Sequence, residues 1–144
     1  MGTFMIWIIR LFLLFMAVTY FGIGAWAIVS PLFSGLEIDY PSITDYIGLS
    51  ITSIIGYSEL AGLYGGLNLA VGVLCFMGIF SLKYTKISLQ LLMFLTGSIA
   101  LGRALFAAVP STPPLVNHFF IFEIITFTIC LLFLRLYKPL KEIG

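Results

Sequence analysis

Four long apolar runs constrain this chain more than any other feature of its sequence. They cover about residues 5–29, 58–82, 87–109 and 115–137. A helix needs about 20 mostly apolar residues to cross the hydrocarbon core of a bilayer. Only 9% of the residues are charged, whereas a soluble domain carries about a quarter, so the chain has too little polar surface for water. The sequence therefore predicts an all-α integral membrane four-helix bundle that forms a single transmembrane domain over residues 1–144.

The segments between the runs carry the residues that end helices. The basic stretch Lys83–Lys86 predicts a tight turn, and the prolines of Pro110–Pro114 break the chain before the last run. In the polar segment between the first two runs, Pro41 and Asp45 suit the first turn of a helix. We expect a short helix at the membrane interface in this first external loop. The competing interpretation is one helix that continues from this segment into the second span.

The basic residues indicate the orientation of the chain. Six of the seven fall on one side of a four-span model, namely Arg10, Lys83, Lys86, Arg135, Lys138 and Lys141. The loops of the other side carry Glu37, Asp39 and Asp45 and no lysine or arginine. Because lysine and arginine mark cytoplasmic loops, we expect both termini in the cytoplasm. Arg10 and the apolar run after it loosely resemble a signal peptide, but the charge lies too far into the chain, so we interpret this run as a span.

Charged residues within the spans form the main candidate site. Arg103 and Glu123 lie about 9 Å and about 12 Å below the outer ends of the third and fourth spans, at 1.5 Å per residue. Glu59 begins the second span at the same end, and His118 lies near it. Because charges in membranes usually face a bundle interior and pair there, we predict a cluster of Glu59, Arg103, Glu123 and His118. Two interpretations stay open: an ion pair that fixes helix register, or a site for a ligand, proton or substrate.

The second span is rich in small residues. At helical spacing one face carries Glu59, Gly62, Gly66 and Ala70, and the nearly opposite face carries Ala61, Gly65, Asn68 and Gly72. Small residues allow transmembrane helices to approach closely. We therefore predict helix-packing positions on two faces, against other spans, other membrane subunits or copies of this chain: Gly62, Gly65, Gly66, Asn68 and Gly72.

No motif of a known chemistry is complete in the sequence. One histidine is too few for a haem between helices, and the chain lacks both a Glu-x-x-His pair and a Cys-x-x-Cys pair. Cys75 and Cys130 lie within apolar runs and read as buried residues, with a redox pair as the alternative. The net charge of +1 gives no basic surface for nucleic acid. We predict no catalytic residue, no metal and no cofactor, with a quinone or a lipid in a phenylalanine-lined groove as the alternative.

The stretch "ELAGLYGGLNLAVG", Glu59–Gly72, and the pair Gly102-Arg103 resemble the DoxX-like group of small four-helix bacterial membrane proteins, closest to a subgroup of unknown function. The resemblance implies an accessory or assembly subunit of the bacterial inner membrane, in some members associated with redox complexes such as thiosulfate–quinone oxidoreduction. Asn68 stands where relatives often carry an acidic residue or histidine, and no catalytic residue is carried over. We therefore expect a non-catalytic accessory, assembly or structural subunit. The alternative is a small transporter or a lipid- or quinone-binding membrane protein that uses the glutamate and arginine cluster.

Overall fold

The computed structural model describes residues 3–35, 42–108 and 115–137, and within these ranges the chain is helical without strands. Four helical stretches are long and apolar enough to cross a membrane: Thr3–Pro31, Ile54–Phe80, Leu82–Phe106 and His118–Leu136. The predicted all-α fold with four membrane spans is thereby confirmed, and the protein is an integral membrane protein.

Six α-helices and one π-helical segment make up the described chain. In order they are α1 (Thr3–Gly35), α2 (Ile43–Ile47), α3 (Ile54–Glu59), the π segment (Leu60–Gly66), α4 (Leu67–Phe80), α5 (Leu82–Phe106) and α6 (His118–Leu136). The π segment joins α3 to α4 without a break, so these three elements form the second span. The chain divides into two compact units. The first unit is Leu13–Phe76, and the second unit is Met1–Phe12 with Met77–Gly144.

The loop between the first two spans contains the expected short helix. Ser42 caps the start of α2, because its Oγ accepts the N–H of Thr44 at 3.2 Å. Gly48 ends α2 with a φ of +71°, a left-handed conformation that glycine adopts at little steric cost. Residues 49–53 are not helical, so the competing prediction of one continuous helix is wrong. The position of α2 at the membrane surface stays a prediction.

In the first unit, α1 packs closely against the second span at two glycines. A Cβ atom on Gly24 would lie 2.8 Å from the backbone nitrogen of Leu69 and 2.9 Å from the carbonyl oxygen of Gly65. A Cβ atom on Gly65 would lie 2.5 Å from Cγ1 of Ile28. Glycine at these positions therefore lets the two helix backbones approach each other.

Side chains of three elements form a small buried core in the same unit. Ala27 of α1, Ile43 of α2 and Leu60 at the start of the π segment are almost fully buried together. Ser30 adds a polar contact, because its Oγ accepts the N–H of Ile43 at 3.2 Å. These contacts fix α2 between the end of α1 and the beginning of the second span.

The turn between the second and third spans falls at Ser81, the one non-helical residue between α4 and α5. Lys83–Lys86, the stretch predicted as a tight turn, lies instead within the first turns of α5. The side chain of Thr85 explains the position of the turn. Its Oγ1 donates to the carbonyl oxygen of Gly78 at 2.6 Å and so satisfies an acceptor in the last turn of α4.

In the second unit, α5 and α6 pack side by side. A Cβ atom on Gly97 of α5 would lie 2.8 Å from Cδ2 of Phe127, so this ring of α6 covers the glycine. At one end of the pair, the hydroxyl of Tyr137 donates to the carbonyl oxygen of Leu82 at 2.9 Å. The end of α6 is therefore joined to the beginning of α5, and the opposite ends carry the candidate site.

Candidate functional site

An ion pair joins α5 and α6 near their ends. Nε of Arg103, in the last turn of α5, donates to both carboxylate oxygens of Glu123, at 2.9 Å to Oε1 and 3.0 Å to Oε2. The Glu123 side chain is only 8% exposed, whereas the Arg103 side chain is 39% exposed. The site therefore combines a buried carboxylate with a cation that reaches the surface.

Contacts in the first turn of α6 position this pair. Oδ1 of Asn117 accepts the N–H of Phe120 at 3.0 Å, which starts the helix at His118. The guanidinium carbon of Arg103 then lies 5.3 Å from the ring centroid of Phe119, within the range of a cation–π contact. Both contacts of Arg103 are thus with α6. Its terminal nitrogens make no hydrogen bond within the described residues.

The other two residues of the predicted cluster, His118 and Glu59, have different surroundings. His118 is exposed, and its ring centroid lies 4.0 Å from that of Phe119, the ring that Arg103 contacts. Glu59 belongs to the first unit, at the end of α3, and is exposed. Its side chain makes no hydrogen bond or ion pair with any residue that the structure describes. Its place in a common cluster stays a prediction.

The small residues of the second span have two different surroundings. Gly65 and Gly72 are buried against α1, with a Cβ atom on Gly72 falling 3.1 Å from the backbone nitrogen of Phe21. Gly62, Gly66 and Ala70 are exposed, and we call them the open glycine face. A Cβ atom on Gly62 would meet nothing within 4 Å, and one on Gly66 only the backbone of its own helix at 3.9 Å.

The π segment changes the helical register between these faces. Its hydrogen bonds span five residues instead of four, and its buried positions Leu60 and Gly65 are accordingly five apart. Asn68, the second residue of α4, donates from Nδ2 to the carbonyl oxygen of Tyr64 at 2.6 Å. Its amide therefore supports its own helix. The two faces predicted for this span were counted at α-helical spacing, which does not hold across residues 60–66.

Two further features bear on the chemistry. Cys75 and Cys130 are buried, form no disulfide within the described chain and belong to different units. No group of three or more potential ligands for a metal ion occurs among the described residues. Arg10, which the sequence did not mark as a candidate site residue, has a buried Nε without a hydrogen-bond partner in the described part of the chain.

One family model matches residues 8–135, and its description is Domain of unknown function (DUF4345). The match covers most of the chain and includes residues of all four spans. No curated protein and no solved structure matches the chain. The resemblance to the DoxX-like group has no match of its own and stays a prediction.

Proposed function

The chain belongs to the DUF4345 family of unknown function, and we propose that it is a non-catalytic membrane protein whose second span packs against a second copy of itself. The open glycine face carries this proposal. Glycine within a helix is about 1 kcal/mol less favourable than alanine. At Gly62 and Gly66 no part of the described chain comes close enough to use the missing side chain. A helix of another chain in close contact would offset this cost.

The small residues of the open glycine face favour a copy of the same chain as the partner. Gly62 and Gly66 lie within the π segment and Ala70 follows in α4, and all three are exposed small residues of the kind that let two transmembrane helices cross at short distance. A two-fold contact uses one patch on both chains, so a single small face is sufficient. Glu59 lies just before this face and is exposed, so its carboxylate is free to accept a hydrogen bond from the partner.

The pair of Arg103 and Glu123 supports a structural role for the charges. The carboxylate accepts both of its described hydrogen bonds from one guanidinium, and its side chain is nearly buried. The two charges therefore neutralise each other within one unit. An ion pair of this kind sets which helices pack and in which register.

A ligand site is the second candidate function, and the exposure of Arg103 favours it. The terminal nitrogens of this residue make no hydrogen bond with a described residue, and the ring of Phe119 lies beside the guanidinium. A quinone carbonyl or a lipid headgroup would find a charged donor and an aromatic surface there. A small transporter would instead need Glu123 to exchange protons. Retained flux in a Glu123→Gln variant would count against the transporter, and retained ligand affinity in an Arg103→Gln variant would count against the ligand site.

We also propose which membrane holds the protein and which kind of complex it joins. The resemblance to the DoxX-like group supports an accessory or assembly role in the bacterial inner membrane, with a redox complex as one class of host. The basic residues support cytoplasmic termini. Lys83 and Lys86 lie at the start of α5, and Arg135 lies at the end of α6, which the contact of Tyr137 with Leu82 joins to it.

The experiment compares the assembly size of Gly62→Leu and Gly22→Leu proteins in mild detergent. Gly22 is the matched control, because it is an exposed glycine of another span with nothing within 4 Å of its Cβ position. We expect a dimer for the natural sequence and for Gly22→Leu, and a monomer for Gly62→Leu. Identical sizes for all three proteins would contradict the proposal. A larger mixed complex that only Gly62→Leu disrupts would assign the open glycine face to a different subunit.

A further inference from the structure

Arg10 carries a positive charge for which the described residues of its unit supply no free carboxylate. It lies about 10 Å along α1 from Thr3, at 1.5 Å per residue. Its Nε is buried and has no hydrogen-bond partner within the described chain. The contact that the structure gives its guanidinium is with the ring of Trp7, whose centroid lies 5.6 Å from Cζ.

Burial without an acceptor is unfavourable for the Nε–H of Arg10, although the side chain as a whole stays partly exposed. Arginine stays protonated in proteins, so this buried donor belongs to a charged group. A contact with an aromatic face offsets part of the cost of removing a charged donor from water, but it supplies no acceptor. The unsatisfied Nε of Arg10 therefore indicates that an anion belongs near this side chain.

A second cation lies at a similar level on a neighbouring helix. The ring of Phe12 on α1 meets the ring of Phe133 on α6 edge to face, with 5.5 Å between centroids and 75° between planes. Arg10 precedes Phe12 by two residues, and Arg135 follows Phe133 by two residues. Because α1 leaves this end of the unit and α6 returns to it, both cations lie on the same side of the ring contact.

Two lysines lie at the same end. The hydroxyl of Tyr137, two residues after Arg135, donates to the carbonyl oxygen of Leu82. Lys83 and Lys86 follow Leu82 in the first turns of α5, and both are exposed. The basic end of the second unit thus comprises Arg10, Lys83, Lys86 and Arg135.

No carboxylate within the described residues of this unit balances the basic end. Among the described residues of the unit, Glu123 is the one acidic residue, and it pairs with Arg103 toward the opposite end of α5 and α6. The described parts of the unit therefore present four cations at one end with no acidic side chain among them.

We propose that the basic end binds the phosphate group of an anionic membrane lipid and that Arg10 is the residue that holds it. The planar guanidinium matches the geometry of phosphate oxygens, and clustered basic residues at a membrane surface attract anionic headgroups. The surface beside Arg10 suits a lipid more than a soluble anion. Trp7 and Leu11 flank it on α1 at the positions i−3 and i+1, and both are exposed. Acyl chains would lie on these side chains, and tryptophan is typical of the headgroup level.

Thermal unfolding of the full chain in detergent tests this proposal, with phosphatidylglycerol or phosphatidylcholine added in increasing amounts. A ligand of the folded state raises the midpoint temperature with its concentration. We expect phosphatidylglycerol to do so much more than phosphatidylcholine. For Arg10→Gln, the concentration of phosphatidylglycerol needed for half of the effect should rise about tenfold, since one charge-assisted contact is lost. For Lys83→Gln, which removes an exposed cation of the same end, it should rise less than for Arg10→Gln, because an exposed charge contributes less than a partly buried one.

Two controls make the result decisive. Equal responses of the natural protein and Arg10→Gln to phosphatidylglycerol would overturn the assignment to Arg10. An equal response of the natural protein to inorganic phosphate at the same concentrations would overturn the lipid as the ligand. If Arg10→Gln does not fold, Arg10→Lys keeps the charge without the planar group. We expect weaker binding for this variant, and unchanged binding would contradict the role of the guanidinium.

Discussion

Arg103 and Glu123 form an ion pair in which one nitrogen, Nε, donates to both carboxylate oxygens, at 2.9 Å and 3.0 Å. The carboxylate is nearly buried and the guanidinium is partly exposed. The pair connects the last turn of α5 with the beginning of α6, which follow each other through residues 107–117. It therefore fixes the end of the helix pair opposite to the contact between Tyr137 and Leu82.

Replacement of Glu123 by glutamine should weaken the fold. The change leaves the Arg103 charge without its counter-charge, and we expect a loss of about 1–3 kcal/mol, less than for a fully buried pair because Arg103 reaches solvent. The measurement is unfolding in detergent, with Lys86→Gln as a control for the removal of a surface charge. In the double variant Arg103→Gln with Glu123→Gln, the loss should be smaller than the sum of the single losses. Additive losses would show that the two residues do not interact.

Replacement by alanine should have different effects on stability at two glycines of α1, Gly24 and Gly22. A Cβ atom on Gly24 meets backbone atoms of Leu69 and Gly65 that cannot move aside, so Gly24→Ala should cost about 1–3 kcal/mol. Gly22 lies two residues earlier on the same helix, and a Cβ atom there would meet nothing within 4 Å. Gly22→Ala should therefore be neutral or stabilise the fold by up to about 1 kcal/mol. Unfolding of both variants in detergent checks this. A loss at Gly22 as large as at Gly24 would contradict the close approach of the helices.

A second matched pair of glycines tests the packing of α5 against α6. Gly97→Ala would bring a Cβ atom to 2.8 Å from the ring of Phe127, a side chain that can shift, so we expect a loss of about 1 kcal/mol. Gly102→Ala meets nothing within 4 Å and should not destabilise the fold. The same unfolding measurement applies. Equal stability of the two variants would show that Phe127 does not lie on Gly97.

Tyr137 should make stability depend on alkaline pH. Burial raises the pKa of its phenol above the usual value of 10.0, so the unfolded chain loses this proton at a lower pH than the folded chain does. The contribution of Tyr137 is therefore fully present below about pH 10 and is lost as the pH rises through the folded pKa. Tyr137→Phe should cost about 1 kcal/mol at pH 8, through loss of the hydrogen bond to Leu82, and should lower the slope of stability above pH 10. Parallel pH profiles for both proteins would contradict this.

Much of the fold follows from simple sequence arguments, because four runs of about 20 apolar residues have few alternatives to membrane helices. The position of the turn between the second and third spans does not follow. The basic residues Lys83–Lys86 suggest a loop, but the turn depends on a hydrogen bond from Thr85 to Gly78 that only the folded chain reveals. Likewise no residue type specifies the π segment, and its wider turns alter every spacing counted across it.

Part of the candidate site also follows from the sequence. Counting residues from the ends of the spans indicates that Arg103 and Glu123 lie at a similar depth, because depth depends only on helix rise. Which residue pairs with which depends on the rotation of each helix about its axis, and that is set by packing. The glycines show this limit most clearly. Both faces of the second span looked alike in sequence, yet Gly65 and Gly72 contact α1 while Gly62 and Gly66 remain exposed.

The proposed contact between copies of the chain is tested most directly by oxidative cross-linking of Gly66→Cys in native membranes. The natural thiols of Cys75 and Cys130 are buried and should not interfere, and Gly22→Cys is the matched control on another span. A disulfide needs Cα atoms about 4.4–6.8 Å apart, a distance reached only when small faces of two helices meet. We expect a disulfide-linked dimer from Gly66→Cys and almost none from Gly22→Cys. Cross-linking that is absent at Gly66, or equal at both positions, would contradict packing through the open glycine face.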